Sequence, residues 1–138
     1  MKEMPLGAQG VVQVLVTEEM LATHYKSGEV AVFATPHLVL VMEEAAVAAL
    51  RPYMEPGETT VGSLVNIRHL APTPPGFMVT ATARLLQIDG RRLVFQVEAS
   101  DGIDKVGDGT HERFLVSKER FNLRSREKST RRNTASVE

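Results

Sequence analysis

The 138-residue sequence contains no cysteine and no tryptophan, and its formal net charge at neutral pH is only −1. Without cysteine the chain has no disulfide, no thiolate metal ligand and no cysteine nucleophile. A net charge close to zero favours no nucleic-acid partner, and an apolar content of 43% is that of an ordinary globular protein. The length and composition therefore predict one domain spanning residues 1–138.

Several sequence signals are also missing. The N-terminus, MKEMPLGAQGVV, lacks the charged start and the apolar run of roughly 7–15 residues that mark a secretory signal. No stretch is long and apolar enough for a membrane helix, which needs about 20 residues. No histidine and carboxylate spacing is typical of a metal site, and no glycine-rich phosphate loop or dinucleotide fingerprint is present. We therefore expect a cytoplasmic protein without metal, cofactor or membrane contact.

An apolar stretch at residues 35–53, TPHLVLVMEEAAVAALRPY, predicts a long central helix. Thr35 is predicted to cap its first turn, and Pro36 suits the first helical position. No polar stripe follows the helical period, so we expect a sheet to wrap around this helix. Because a buried carboxylate is costly unless it is paired, Glu43 or its neighbour Glu44 is predicted to point into a site.

The remaining sequence has the pattern of strands. Residues 11–16, VVQVLV, predict a first strand, and residues 59–117 form a series of strand patterns separated by Pro/Gly or Asp-Gly breaks. Asp89 and Gly90 are predicted to be the two central residues of a type I′ hairpin turn. A strand, a buried helix and four further antiparallel strands indicate the α+β class, with one antiparallel sheet wrapped around one long central helix.

From about residue 118 the sequence becomes basic. This C-terminal tail contains three glutamates and seven cationic residues: Lys118, Arg120, Arg124, Arg126, Lys128, Arg131 and Arg132. A polyanionic ligand is one interpretation, and a solvated, partly flexible terminus is the other. The tail has one aromatic residue and no recognition motif, so we expect no nucleic-acid partner.

Three side chains are candidates for acid–base chemistry. In the strand pattern of residues 61–71, alternation places His69 on the same helix-facing side as Val61, Ser63, Val65 and Ile67. A histidine there is more often a core residue, but Glu43 is expected in the same interior, and a carboxylate beside an imidazole fixes its tautomer.

Thr35 adds a hydroxyl at the helix N-terminus, where free N–H groups favour a developing oxyanion. Plain helix capping is the alternative role for Thr35. His111 shares a strand face with Arg113, so a pairing or interface role is predicted for it.

These residues resemble those of the hotdog-fold thioesterases, and within them the fluoroacetyl-CoA thioesterase-like group. The resemblance runs from about residue 32 to 128, through VFATPHLVLVMEEAAVAAL, RPYMEPGETTVGS, RHLAPTPPGFMVTATA, IDGRRL, SDGIDKVGDGTHER and RFNLRSREK. It implies a hotdog fold, dimers whose active sites lie near the subunit interface, and hydrolysis of acyl-CoA thioesters. It also implies a triad at Thr35, Glu43 and His69, and a glycine beside the acyl group at Gly62.

One segment departs from that group. Aromatic residues before the helix form a lid over the acyl group in the fluoroacetyl-specific enzyme, and here Lys26 and Glu29 stand in their places. Selectivity for fluoroacetyl groups is therefore not predicted.

The predicted function is hydrolysis of a short-chain acyl-CoA or similar thioester, with coenzyme A entering as part of the substrate. Glu43 and His69 are the expected acid–base pair, and Thr35 positions water or attacks. The alternative is a non-catalytic acyl-CoA binding module. We also expect a homodimer or higher homo-oligomer, because an unpaired sheet edge invites pairing.

Overall fold

A computed structural model describes the backbone of residues 1–137 and the side chains of residues 1–134. The strands are β1 (Gln9–Leu15), β2 (Glu58–His69), β3 (Met78–Asp89), β4 (Arg92–Ser100) and β5 (Lys105–Ser117). The helices are α1 (Ala22–Tyr25), α2 (Thr35–Leu50) and α3 (Lys118–Val137), with 3₁₀ turns at Glu18–Met20 and Arg51–Tyr53. The strands form one antiparallel sheet in the order β1-β3-β4-β5-β2, so β1 and β2 are its edges.

The sheet packs against one side of α2. The buried residues of α2 recur at helical spacing and are Leu38, Val41, Met42, Ala45, Ala46, Ala49 and Leu50. Small side chains let the sheet approach closely, and a Cβ on Gly10 would lie 2.1 Å from the Ala45 carbonyl oxygen. The predicted α+β arrangement of a sheet around a central helix is confirmed. On the opposite side of α2, however, Leu40 remains 43% exposed in a single chain.

The start of α2 differs from the prediction. The helix begins at Thr35, its N-cap is Ala34, and no side chain makes a capping hydrogen bond. The prediction that Thr35 caps the helix is wrong, because its hydroxyl is bonded instead to the His69 ring.

A β-bulge decides which residues of β2 face the helix. The register with β5 shifts between Gly62 and Leu64, which leaves Ser63 as the extra residue. Antiparallel partners point to the same face, and Gly62 lies opposite Arg113 while His69 lies opposite Gly107. The prediction that Val61 and Ser63 face the helix, which assumed strict alternation, is therefore wrong. It is Gly62 that shares the inner face with His69.

The hairpin between β3 and β4 is shifted by one residue from the predicted turn. Asp89 pairs with Arg92, so the two central residues of the turn are Gly90 and Arg91. Only Gly90 has positive φ, at 59°. Positive φ at the first central position alone is typical of a type II′ turn, so the predicted type I′ turn centred on Asp89-Gly90 is wrong.

The basic C-terminal tail forms the helix α3 in the described part of the chain. It contacts mainly the end of β5, and its apolar residues Phe121 and Leu123 are 44% and 48% exposed. The flexibility of this tail stays a prediction. Within residues 1–137, none of the three helices combines the length and the uninterrupted apolar sequence that a membrane span requires.

Candidate active site

Thr35 and His69 meet where the first turn of α2 crosses the end of β2. The Thr35 hydroxyl oxygen Oγ1 lies 2.7 Å from the His69 ring nitrogen Nδ1. Burial lowers the pKa of the His69 ring below its ordinary value of 6.5, and the Ala71 backbone opposes this shift. The ring is therefore neutral at neutral pH, and in the tautomer protonated on Nε2 its Nδ1 accepts a hydrogen bond from the hydroxyl.

The second ring nitrogen of His69 has no such partner. Its Nε2 is buried within the single chain and makes no hydrogen bond of ordinary geometry among the residues with described side chains. A buried polar atom without a hydrogen bond costs free energy.

A cavity of about 330 Å³ lies beside this pair. Its walls include Ser27, Phe33 and Leu70 together with Thr35 and His69. The volume falls within the range of small-molecule sites, which is about 300–1,000 Å³. The hydroxyl and the imidazole are thus accessible to a ligand of modest size.

Glu43 belongs to a second cluster. Its carboxylate oxygen Oε2 accepts a hydrogen bond of 3.1 Å from Nη1 of Arg113, a residue that is only 6% exposed. The Arg113 guanidinium also donates from Nε to Thr60 Oγ1 at 2.9 Å and from Nη2 to the Thr60 carbonyl at 3.2 Å. A charged arginine is therefore held beside Glu43 by a side chain and a backbone group of β2.

Gly62 leaves the space that the Glu43 carboxylate occupies. A Cβ on Gly62 would lie 2.6 Å from Glu43 Oε2 and 3.2 Å from Arg113 Nη1. Both distances are shorter than ordinary contacts to a methyl group. The β2 bulge turns Gly62 inward, so the predicted site glycine adjoins the predicted site carboxylate.

The expected contact between Glu43 and His69 does not form within one chain. Glu43 lines a second cavity of about 350 Å³ together with Leu40, Glu44 and Arg113, whereas Thr35 and His69 line the first. Glu43 is paired with Arg113 because alternation along β5 places the Arg113 side chain on the helix-facing side of the sheet, opposite Gly62.

Comparison with known proteins gives the family. Residues 16–119 match the sequence profile of the family described as fluoroacetyl-CoA-specific thioesterase. The fluoroacetyl-CoA thioesterase of Streptantibioticus cattleyicolor is 49% identical over 98 residues, which are 71% of this chain and 70% of that protein. The chain belongs to this thioesterase family.

Solved structures agree with the family assignment. A threonine-to-serine variant of the fluoroacetyl-CoA enzyme, in complex with acetyl-CoA, is 39% identical with a TM-score of 0.85, covering 91% of this chain and 98% of that one. A Thermus thermophilus protein described as a thioesterase superfamily member is 33% identical with a TM-score of 0.91, covering 97% and 99%. The predictions of a hotdog fold and a thioester hydrolase are confirmed.

In this thioesterase the second helix glutamate has an ordinary setting. Glu44 is exposed, and its charge raises the pKa of His37, which burial lowers by a larger amount. His37 Nδ1 lies 2.6 Å from the Tyr25 hydroxyl, which ties α1 to the first turn of α2.

Arg113, the partner of Glu43, was not predicted from the sequence. One sequence feature could have indicated it. Arg113 lies two residues from His111 on the same face of its strand, and another predicted strand carries His69. That signal was used only to pair His111 with Arg113. The structure contains that pairing, with Arg113 Nη1 3.2 Å from His111 Nε2.

Proposed function

We propose that this thioesterase hydrolyses short-chain acyl-CoA thioesters and that the Thr35–His69 pair performs the central proton transfer. The observation that carries the proposal is the 2.7 Å contact between a hydroxyl and an imidazole beside a small cavity. A neutral imidazole within hydrogen-bond reach of a hydroxyl is the arrangement that general-base catalysis requires.

The reaction follows from this geometry. His69 takes a proton from Thr35, or from a water molecule that Thr35 positions, while that oxygen attacks the thioester carbonyl carbon. The tetrahedral intermediate then collapses, the C–S bond breaks, and the coenzyme A sulfur leaves and receives the proton. If water attacks, the free acid forms directly; if Thr35 attacks, a water molecule then hydrolyses the acyl-threonine to the free acid and regenerates the hydroxyl. The first turn of α2 supplies free N–H groups and positive potential for the oxyanion.

Glu43 is proposed to act with His69 as the acid–base pair. A homodimer is proposed to place Glu43 of one chain next to His69 of the other. β2 is an edge strand whose Leu64 and Val65 are each 42% exposed. Two such strands paired antiparallel about a twofold axis would run the Gly62 end of one β2 along the His69 end of the other. Glu43, beside Gly62, would then approach the partner's Thr35–His69 pair.

The surface of the single chain supports this dimer. The exposed apolar residues Leu64 and Val65 lie on the β2 edge, and Leu40 is uncovered on the outer side of α2. A cytoplasmic location remains part of the proposal, and cell fractionation tests it.

The substrate proposed is a short acyl group on coenzyme A without selectivity for fluoroacetyl. The segment before α2 presents Lys26 and Glu29, both exposed, at the positions where the resemblance leads us to expect aromatic lid residues. A lid without those rings offers no apolar cover specific for a fluorinated methylene.

Release of free thiol from acetyl-CoA, propionyl-CoA and fluoroacetyl-CoA tests the function. We expect thiol release by the purified protein that is lost in His69→Ala and retained in Glu44→Gln. Binding of acyl-CoA without thiol release above the spontaneous rate would overturn the proposal and favour a non-catalytic binding module. Calorimetric titration with coenzyme A separates these outcomes from a failure to bind.

A further inference from the structure

We propose that His111 is a positioning residue of this thioesterase, which fixes the Arg113 guanidinium and through it the Glu43 carboxylate. His111 lies on β5, opposite Val65 of β2, and is only 1% exposed. The inference rests on the proposed role of Glu43 in the reaction.

The hydrogen bonds of His111 determine its tautomer. Its Nδ1 lies 2.8 Å from the Leu64 carbonyl oxygen, and a carbonyl only accepts, so Nδ1 carries the proton and donates. In the neutral ring Nε2 then has a lone pair. That lone pair faces Arg113 Nη1 at 3.2 Å, and a guanidinium only donates. The two contacts are mutually consistent only for a neutral ring protonated on Nδ1.

The environment favours this neutral ring. Burial lowers the pKa of His111, the Leu64 backbone opposes the shift, and the charge of Arg113 lowers the pKa further. The carboxylates of Glu43 and Glu112 act in the opposite direction. A protonated ring would set two cations against each other at the Nε2–Nη1 contact and would remove the acceptor.

His111 accepts a hydrogen bond from Nη1 of Arg113, and the same Nη1 donates to the Glu43 carboxylate. Thr60 binds Nε and Nη2 of the guanidinium, and His111 and Glu43 share Nη1. Since the guanidinium is planar, an acceptor at the His111 position and two at Thr60 define both its plane and its direction. Because Gly62 has no side chain, the place where the carboxylate meets Nη1 stays open to it.

The bulge in β2 also contributes to the position of Glu43. It lies between Gly62 and Leu64, so the residue that precedes it leaves space for Glu43 and the residue that follows it supplies the carbonyl for His111. One local irregularity therefore sets both ends of the chain of contacts from Leu64 through His111 and Arg113 to Glu43.

Two variants of His111 separate positioning from packing. His111→Leu keeps much of the volume and removes both hydrogen bonds, whereas His111→Gln retains one donor and one acceptor. We expect His111→Leu to lower kcat at least about tenfold with KM changed less than about twofold, and His111→Gln to recover most of that loss. Phe95→Leu is the matched control, since Phe95 is the fully buried β4 partner of His111 and has no polar contact. It should lower Tm and leave kcat near that of the wild type.

A double-mutant cycle tests whether His111 acts through Arg113. In an Arg113→Met background, His111→Leu should lower kcat by less than about twofold further, because the group it positions is gone. An equal loss in both backgrounds would overturn the proposal, as would wild-type kcat in His111→Leu. If Glu43→Gln turns over normally, the proposed role of Glu43 fails first. An impaired Glu43→Gln with an unimpaired His111→Leu overturns only the inference about His111.

Discussion

Thr35 Oγ1 lies 2.7 Å from His69 Nδ1, although 34 residues separate the two along the chain. The contact joins the first residue of a helix to the last residue of an edge strand. It also takes the hydroxyl away from helix capping, so the helix N-terminus is left free to interact with a ligand. The chemistry proposed for this thioesterase starts at that contact.

Removal of the His69 imidazole directly tests the role of this contact in catalysis. His69→Ala should lower kcat at least about a hundredfold, the scale of a lost general acid–base group. The truncation of a half-buried side chain is expected to cost a few kcal/mol of the free energy of unfolding, so thermal unfolding must accompany the kinetics. Near-normal turnover in a folded His69→Ala protein would remove His69 from the mechanism.

Acid should destabilise the protein from about neutral pH downward. Burial lowers the pKa of His37, His69 and His111 from the ordinary value of 6.5. Below pH 6.5 the unfolded chain binds protons at these rings that the folded chain excludes, so the free energy of unfolding falls as the pH falls. Glu58 and Asp101 also have lowered pKa values, but their ordinary values of 4.5 and 3.8 place their contribution at lower pH.

Urea unfolding at pH 7.5 and at about pH 5.5 measures this effect. We expect a lower midpoint at the lower pH and a smaller difference in His111→Gln, which lacks one of the three rings. A midpoint that is unchanged or higher at pH 5.5 would contradict the assignment of neutral, buried rings.

Gly62 offers a test that adds only one methyl group. A Cβ there would lie 2.6 Å from Glu43 Oε2, so in Gly62→Ala we expect the carboxylate to move from its position beside Arg113. We expect a loss of kcat comparable to that of Glu43→Gln with a smaller change in stability. Ser63→Ala, one residue further and exposed, is the control and should retain activity. Full activity in Gly62→Ala would show that the position of Glu43 seen here is not required.

The sequence was sufficient for some parts of this site and insufficient for others. Proline at the helix start and strand alternation near His69 predicted the helix and the strand, and the family resemblance implied that Thr35 and His69 share one site, where they do meet. The partner of Glu43 was missed because Arg113 arrives from β5, 70 residues away, through a register that a bulge at Ser63 shifts. A bulge has no strong sequence signature, and one inserted residue exchanges the two faces of a strand.

The proposed dimer predicts different consequences for the two sheet edges. Leu64→Lys on β2 would place two like charges near each other across a twofold axis, so we expect a monomer with much lower activity. Val11→Lys makes the same kind of change on β1, where Val11 is 55% exposed, and should leave both assembly and turnover unchanged. Light scattering measures the oligomeric state of each variant, and a thiol-release assay at the same protein concentration measures its turnover. A fully active monomer in Leu64→Lys would exclude a site completed by the partner chain.

The last prediction separates the two neighbouring glutamates of α2. They point about 100° apart on the helix, and the structure gives them different partners. Glu43 is held by Arg113 beside Gly62, whereas Glu44 is exposed and raises the pKa of His37 through its charge. Glu43→Gln retains an oxygen that accepts from Arg113, so the fold should survive while turnover falls sharply. Glu44→Gln should change activity by less than tenfold, a barrier difference below about 1.4 kcal/mol. The reverse ranking at equal Tm would mean that the carboxylate of the site is Glu44, and that the Arg113 pair serves packing alone.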